Sequence, residues 1–139
     1  MIRPATHDDI PRLVEMGREF HAMAPHKPMG EYDGEAVGNM LKFLISSPSS
    51  LVLTNGAGAI GGVLAPIYFC PVKWMMEESF WFAGSSGFDL LQSFLTGSRD
   101  LGATCIYLST LENKRSPAIH RILTRMGFRL VEHRYVKDL

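Results

Sequence analysis

The chain has 139 residues, a length typical of one folding domain that leaves no room for a second full core. Hydrophobic residues make up 46% of it and charged residues 20%, and the formal net charge is zero. With zero net charge the chain has no overall electrostatic attraction to nucleic acid or to an anionic membrane. We therefore expect no nucleic-acid partner and no membrane partner. The most basic segment, which begins at Lys114, is interpreted as the solvated face of a helix.

Cysteines, histidines and the amino terminus limit the chemistry further. Cys70 and Cys105 lie in apolar, strand-like runs and are interpreted as reduced core residues. The five histidines lack metal-ligand spacing, which predicts no metal site. The amino terminus has no signal-peptide hydrophobic region, and no apolar run approaches the length of a membrane span. We therefore expect a cytoplasmic protein.

The first half of the chain predicts a short strand, two helices and a hairpin. Thr6 and Asp9 form a capping-box-like start for an amphipathic helix. Asp33 is expected to cap a second helix that ends before Pro48. A glycine-rich turn between two apolar runs predicts the hairpin. The predicted ranges are a strand at 2–4, a first helix at 7–21, and hairpin strands at 51–54 and 59–65.

The second half alternates strands and helices. A strand is predicted at 73–82 and a helix with an apolar inner face follows it. The nearly continuous apolar run at 104–109 is typical of a central strand. Pro117 suits the first turn of a last helix that Gly127 ends, and a final strand is predicted within 128–136. The order β-α-α-β-β-β-α-β-α-β favours one mixed sheet covered by helices, an α/β domain over residues 1–139.

The segment 77–91 is the most informative one for function. It predicts a strand that carries carboxylates, then a tight Gly/Ser turn, then the first turn of an apolar-faced helix. Such a turn directs several unpaired backbone N–H groups toward one point, with the positive end of the helix dipole behind them. This arrangement favours a phosphate or diphosphate group, and therefore a phosphorylated cofactor.

Three short motifs and the order of elements carry a resemblance to a known family. The chain opens with Ile-Arg-Pro-Ala-Thr at 2–6, has Gly-Ser-Ser-Gly at 84–87, and closes with Met-Gly-Phe at 126–128. Over essentially its whole length it resembles the GCN5-related N-acetyltransferases, and most closely the short acetyltransferase-like proteins of phages and prophages. The resemblance implies a mixed, mostly antiparallel sheet of six to seven strands flanked by about four helices. It also implies acetyl-CoA as cosubstrate, a small-molecule or protein amine as acceptor, and a possible homodimer.

The resemblance places the cofactor on the loop before the third helix. The diphosphate would accept hydrogen bonds from amides of residues 84–88, where glycines allow close approach and positive φ. The alternative is that this segment is only a flexible turn between a strand and a helix. The residues implied in cofactor binding are Phe82, Gly84, Ser85, Ser86, Gly87, Phe88 and Asn113.

The same resemblance suggests catalytic residues. Glu77 and Glu78 lie on the strand where the family often holds a general base, and since neighbouring strand residues face opposite sides, at most one can serve the cleft. We favour Glu78 because its spacing to Trp81 resembles the family motif. Strict alternation places Glu78 on the face of Phe80 and Phe82. Leu123 stands where the family often has a tyrosine acid, so His120 and Tyr135 are the candidate replacements.

Two departures keep a second hypothesis open. Leu123 cannot donate a proton. The loop also lacks the arginine or glutamine that is usual in the family, and Trp81 or Ala83 stands near the position where that residue would fall. The first hypothesis is an active N-acetyltransferase that works in a ternary complex. The second is a binding or interaction protein of phage or prophage origin that has the fold without turnover.

Overall fold

The structure, a computed structural model, describes residues 1–139 except for the side chain of Ser85. The described chain forms five strands and four α-helices. Short 3-10 turns precede α1, α2 and α3, at His7–Asp9, Lys27–Met29 and Gly84–Ser86. The elements are β1 (Arg3–Pro4), α1 (Ile10–Met23), α2 (Gly34–Ser46), β2 (Ser50–Thr54), β3 (Ala59–Ile67), β4 (Cys70–Phe82), α3 (Gly87–Asp100), β5 (Cys105–Tyr107) and α4 (Ser116–Arg125).

The strands form one sheet in the order β1-β2-β3-β4-β5. All neighbours pair antiparallel except β4 and β5, which are parallel. Helices cover both faces: α1 and α2 pack around Leu13 and Leu41 on one face, and α3 and α4 pack around Phe94 and Leu123 on the other. The predicted class, an α/β fold with a mixed and mostly antiparallel sheet, is confirmed.

The helix ends follow the predicted capping residues. The Asp33 carboxylate accepts a hydrogen bond from the Ala36 N–H at 3.0 Å, as a side-chain cap of α2 should. The Asp9 carboxylate accepts one from the Thr6 N–H at 2.8 Å and two from the Arg3 guanidinium. These contacts hold the pKa of Asp9 well below its usual range, with the Arg3 hydrogen bonds as the largest cause.

The end of the chain differs from the prediction. No strand forms within 128–136, so the sheet has five strands instead of six or seven. Leu130, Val131 and Tyr135 are all exposed, because charged residues interrupt the segment and leave it no continuous apolar side to bury.

The run at 104–109 does contain a strand, β5, but β5 lies at the edge of the sheet and not at its centre as predicted. With a partner on one side only, it leaves Cys105 and Tyr107 exposed, so Cys105 is not a core residue. Cys70 is partly buried, and both thiols are free. None of the described helices combines the length and the apolar character that crossing a membrane requires.

Candidate active site

A β-bulge in β4 determines which carboxylate faces which side of the sheet. Glu78 pairs with Gly62, but the next pair joins Phe80 to Gly61, so Ser79 is an extra residue in β4. Strict alternation fails at this point. The expectation that Glu78 shares a face with Phe80 and Phe82 is therefore wrong.

Contacts around the bulge show the two faces directly. A Cβ placed on Gly62 would lie 2.9 Å from the Phe94 ring of α3, so Gly62 and its partner Glu78 face α3. The same Cβ would lie 2.5 Å from the Glu77 carbonyl oxygen, so the bulge needs glycine there. Phe80 packs in the opposite cluster with α1 and α2. Glu78 is thus on the α3 and α4 side, and Glu77 is on the other.

The separation of β4 from β5 begins beside Glu78. Their parallel pairing runs from Met75 with Cys105 to Glu77 with Tyr107 and goes no further. Beyond this point the Glu78 carboxylate accepts a long hydrogen bond, 3.5 Å, from the Ser109 N–H. The carboxylate therefore lies in the notch between the two diverging strands.

Glu78 is half-buried, and its surroundings shift the pKa of its carboxyl group upward. Desolvation raises the pKa of Glu78 from 4.5 to about 7, the Ser109 N–H opposes that shift, and the nearby Glu77 charge adds to it. Glu77 itself is exposed on the other face. A carboxyl group that titrates near neutral pH can take up and release a proton under working conditions, which is the property a general base needs.

The loop after β4 packs closely on the β2–β3 turn. Gly84 has φ +56, and a Cβ there would lie 2.7 Å from the Ala57 carbonyl oxygen, so this position requires glycine. Gly87 has φ −58 and begins α3, so the expectation of positive φ is met at Gly84 alone. Ser86 is the N-cap of α3 and makes no side-chain cap hydrogen bond. The predicted role of Ser85 in cofactor binding concerns a side chain outside the described ones.

Trp81 and Phe88 flank this loop on the α3 side. Their rings meet edge to face with centroids 5.8 Å apart. The Trp81 Nε1–H is buried and has no hydrogen-bond partner among the described residues. Sequence reasoning missed this donor, although Trp81 stands near the place of the absent arginine or glutamine.

Phe82 lies on the α1 side of the same loop. It stacks on Phe80 with centroids 4.9 Å apart and contacts Phe20 of α1. It also lines a cavity of about 220 Å³ between α1 and Gly84. A second cavity, about 340 Å³, lies in the α1–α2 loop beside His21 and Lys27, away from the notch.

Of the two other predicted catalytic residues, His120 lies near the segment that contacts Glu78 and Tyr135 does not. The exposed His120 has its Nε2 3.4 Å from Thr110 Oγ1, and Thr110 follows the Ser109 that contacts Glu78. Tyr135 is 93% exposed in the terminal segment, and the structure does not bring it together with Glu78.

Asn113 and Leu123 have structural roles in the fold. Asn113 Oδ1 accepts a hydrogen bond from the Arg115 N–H, and the Asn113 N–H donates to the Ser116 hydroxyl, so Asn113 shapes the turn before α4. Leu123 is buried in the α3 and α4 cluster. Among the described residues, no three His, Cys, Asp or Glu side chains are grouped to hold a metal ion.

No family model and no curated protein matches this chain. Solved structures do match it along its whole length. A transcriptional regulator from Bacillus halodurans C-125 is 16% identical with TM-score 0.74, covering 100% of this chain and 99% of that one. An acetyltransferase of Trypanosoma brucei is 15% identical with TM-score 0.70, covering 100% and 99%. The glucosamine-6-phosphate N-acetyltransferase from Arabidopsis thaliana is 10% identical with TM-score 0.68, covering 99% and 97%.

These identities are low, so the likeness establishes the fold alone, which is one that solved acetyltransferases share. The matches do not bear on the resemblance to phage and prophage proteins, which stays a prediction.

Proposed function

We propose that the protein is a GCN5-related N-acetyltransferase that transfers the acetyl group of acetyl-CoA directly to a primary amine. One observation carries the proposal: the half-buried Glu78 carboxyl group, with its pKa raised to about 7, lies where β4 and β5 separate. An amine must lose a proton before it attacks a thioester, and a base with a pKa near the working pH does this best. The shared acetyltransferase fold supports the same reaction.

Acetyl-CoA would lie along the open edge of β4. Residues after Glu77 have no β5 partner, so their backbone groups on that side are available to an extended chain of amides. At the far end, loop amides around Gly84 and the N-terminus of α3 would hold the diphosphate, between Phe82 and Phe88. In this proposal Ser86 and Gly87 of the loop donate hydrogen bonds to the cofactor. Asn113 contacts the cofactor through its side-chain N–H groups.

When bound, acetyl-CoA supplies an activated carbonyl carbon with a thiolate leaving group. Glu78 takes a proton from the amine, the amine nitrogen forms the new C–N bond, and the C–S bond breaks. The departing sulfur then receives a proton, for which we propose His120, because it lies next to the Ser109–Thr110 segment. Tyr135 is the weaker candidate because it is exposed in the terminal segment and has no contact that directs it to the notch.

The acceptor is proposed to be an amine of a small molecule or of a protein, and the compartment to be the cytoplasm. We propose no nucleic-acid partner and no metal.

A second candidate function is a binding protein of phage or prophage origin that has lost turnover. Leu123 favours it, since this position holds a buried leucine in place of a proton donor. The two candidates differ in one measurable property, the release of CoA thiol.

The test is a thiol-release assay with acetyl-CoA over a panel of primary amines. We expect activity in the wild type that rises as pH increases through about 7, because Glu78 must be deprotonated to act as base. Glu78→Gln should lose activity by roughly 10²- to 10⁴-fold, the usual contribution of general base catalysis. Glu77→Gln is the matched control, because it removes the neighbouring exposed carboxylate, and it should retain activity. Equal loss in both variants would contradict the assignment of Glu78, and no thiol release with any amine would favour the binding protein.

A further inference from the structure

The last two turns of α1 extend from the core to the surface beside the loop that follows β4. Side chains at positions 16, 19, 20 and 23 are spaced i, i+3, i+4 and i+7, so they share one side of the helix. Met16 at the start of this row is 4% exposed, whereas Met23 at its end is 82% exposed. The row lines the cavity of about 220 Å³ between α1 and Gly84.

This cavity, which we call the α1 cavity, has a largely apolar lining. Phe20 and Phe82 form an aromatic wall, with ring centroids 5.3 Å apart and an angle of 51° between the rings. Met16 and Met23 add flexible thioether side chains, which adapt to the shape of a ligand. The opposite side of the cavity comes from the β2–β3 turn and from the loop at Gly84.

Glu19 is the only charged residue among the described residues that line the α1 cavity. Its side chain is 62% exposed, and its ion-pair partner among the described residues is Arg12, with 3.6 Å between Nη1 and Oε1. An exposed ion pair of this kind contributes little to stability, so the Glu19 carboxylate remains available to a ligand. The cavity thus combines an apolar interior with one negative charge.

The volume and the charge of the α1 cavity define the class of ligand that fits it. An apolar cavity of about 150 Å³ can bind benzene, so about 220 Å³ leaves room for one ring and a short substituent. Aromatic faces attract cations, and the Glu19 carboxylate attracts a positive charge and repels a negative one. A hydrophobic organic ammonium ion uses both features, whereas a neutral hydrocarbon uses only the apolar lining.

We propose that the α1 cavity binds a small organic ammonium ion, with its apolar group against the two phenylalanine rings and its nitrogen beside Glu19. This site is separate from the notch. Phe82 lies four residues after Glu78, roughly 13 Å along the strand, and it packs on the α1 side whereas Glu78 faces α3. The inference therefore does not depend on the proposed acetyl transfer, and the ammonium ion is a ligand of this site and not the acetyl acceptor.

Titration of isotopically labelled protein with benzyltrimethylammonium, followed through the backbone amide signals in NMR spectra, tests the proposal. This ion has no N–H and cannot be acetylated, so the result is independent of enzymatic activity. We expect saturable shifts at Phe20, Ala57 and Ala83, with a dissociation constant in the millimolar range or below, as is usual for a ligand of this size. The neutral phenethyl alcohol should bind about threefold more weakly or worse, and the anion phenylacetate should not bind.

Two variants separate the charge of the cavity from its aromatic wall. Glu19→Gln should weaken binding of the ammonium ion by about threefold to tenfold and leave binding of phenethyl alcohol unchanged. Phe20→Leu keeps most of the apolar volume, removes an aromatic face, and should weaken binding of the ammonium ion by about threefold. Glu15→Gln is the matched control and should bind like the wild type, because Glu15 is similarly exposed and pairs with Arg18, but is not among the described lining residues.

The proposal fails if millimolar benzyltrimethylammonium shifts no amide signal, or if Glu15→Gln and Glu19→Gln lose affinity equally. It also fails if phenethyl alcohol binds as tightly as the ammonium ion, because the cavity would then select apolar ligands without regard to charge. Shifts centred on Ser109, with none at Phe20, would assign the ion to the notch and contradict a separate site.

Discussion

Burial and a single hydrogen bond act in opposite directions on the Glu78 carboxyl group. Removal from water favours its neutral form, while the N–H of Ser109 favours its charged form. At 3.5 Å that hydrogen bond is too long to offset the desolvation. The protein thus carries a carboxyl group that costs stability when ionised, and such a cost is typical of residues that are retained for chemistry.

This cost predicts how stability depends on pH. The folded-state pKa of Glu78, about 7, exceeds its value of 4.5 in the unfolded chain, so the folded state binds more protons between these values. The free energy of unfolding should therefore fall as pH rises from about 4.5 to about 7, by roughly 3 kcal/mol from this residue. Glu78→Gln should lack this decline and be more stable than the wild type at pH 8.

Urea denaturation of the wild type and Glu78→Gln at several pH values measures the effect. Glu77→Gln is again the control, since Glu77 is exposed and should leave the decline in place. A parallel pH dependence of wild type and Glu78→Gln would contradict the raised pKa of Glu78.

At the scale of elements, the site depends on two places where backbones come unusually close. The first is the bulge in β4, where Gly62 faces the Glu77 carbonyl and Glu78 turns toward α3. The second is the loop before α3, where Gly84 touches the β2–β3 turn. The bulge fixes the direction of the Glu78 carboxylate. The Gly84 contact fixes the position of the N-terminus of α3, just beyond the end of β4.

The second contact predicts a selective loss of cofactor affinity. Gly84→Ala would place a left-handed alanine against the Ala57 carbonyl and displace the loop. We expect affinity for CoA to weaken about tenfold or more, which corresponds to about 1.4 kcal/mol.

Gly56→Ala provides a matched control in the adjoining turn. Gly56 also has positive φ, +83, but a Cβ there meets nothing within 4 Å. The variant should lose comparable stability through backbone strain and keep its affinity for CoA. Equal weakening of CoA binding in both variants would show that general destabilisation, and not the loop position, is responsible.

At the scale of the whole molecule, local signals in the sequence predicted most elements. Caps such as Asp33 and the glycine after α4 act within a few residues, so they can be recognised in the sequence. The glycine-rich loop was placed correctly for the same reason, as the connection between β4 and α3.

Features that depend on distant pairing were not predictable. The apolar run of β5 is compatible with a central or an edge strand, and only its pairing with β4 alone makes it an edge. Nothing in the sequence marks Ser79 as the extra residue of the bulge. Strict alternation therefore put Glu78 on the face of Phe80, whereas in the structure Glu77 lies on that face. The contact of Glu78 with Ser109 joins residues far apart in the chain.

Calorimetric titration of the wild type with acetyl-CoA and with CoA tests the central claim most directly. The diverging strands and the loop before α3 predict saturable binding of both, one molecule per chain, with dissociation constants in the micromolar range. Absence of any binding heat at millimolar cofactor, from protein shown to be folded, would contradict the claim.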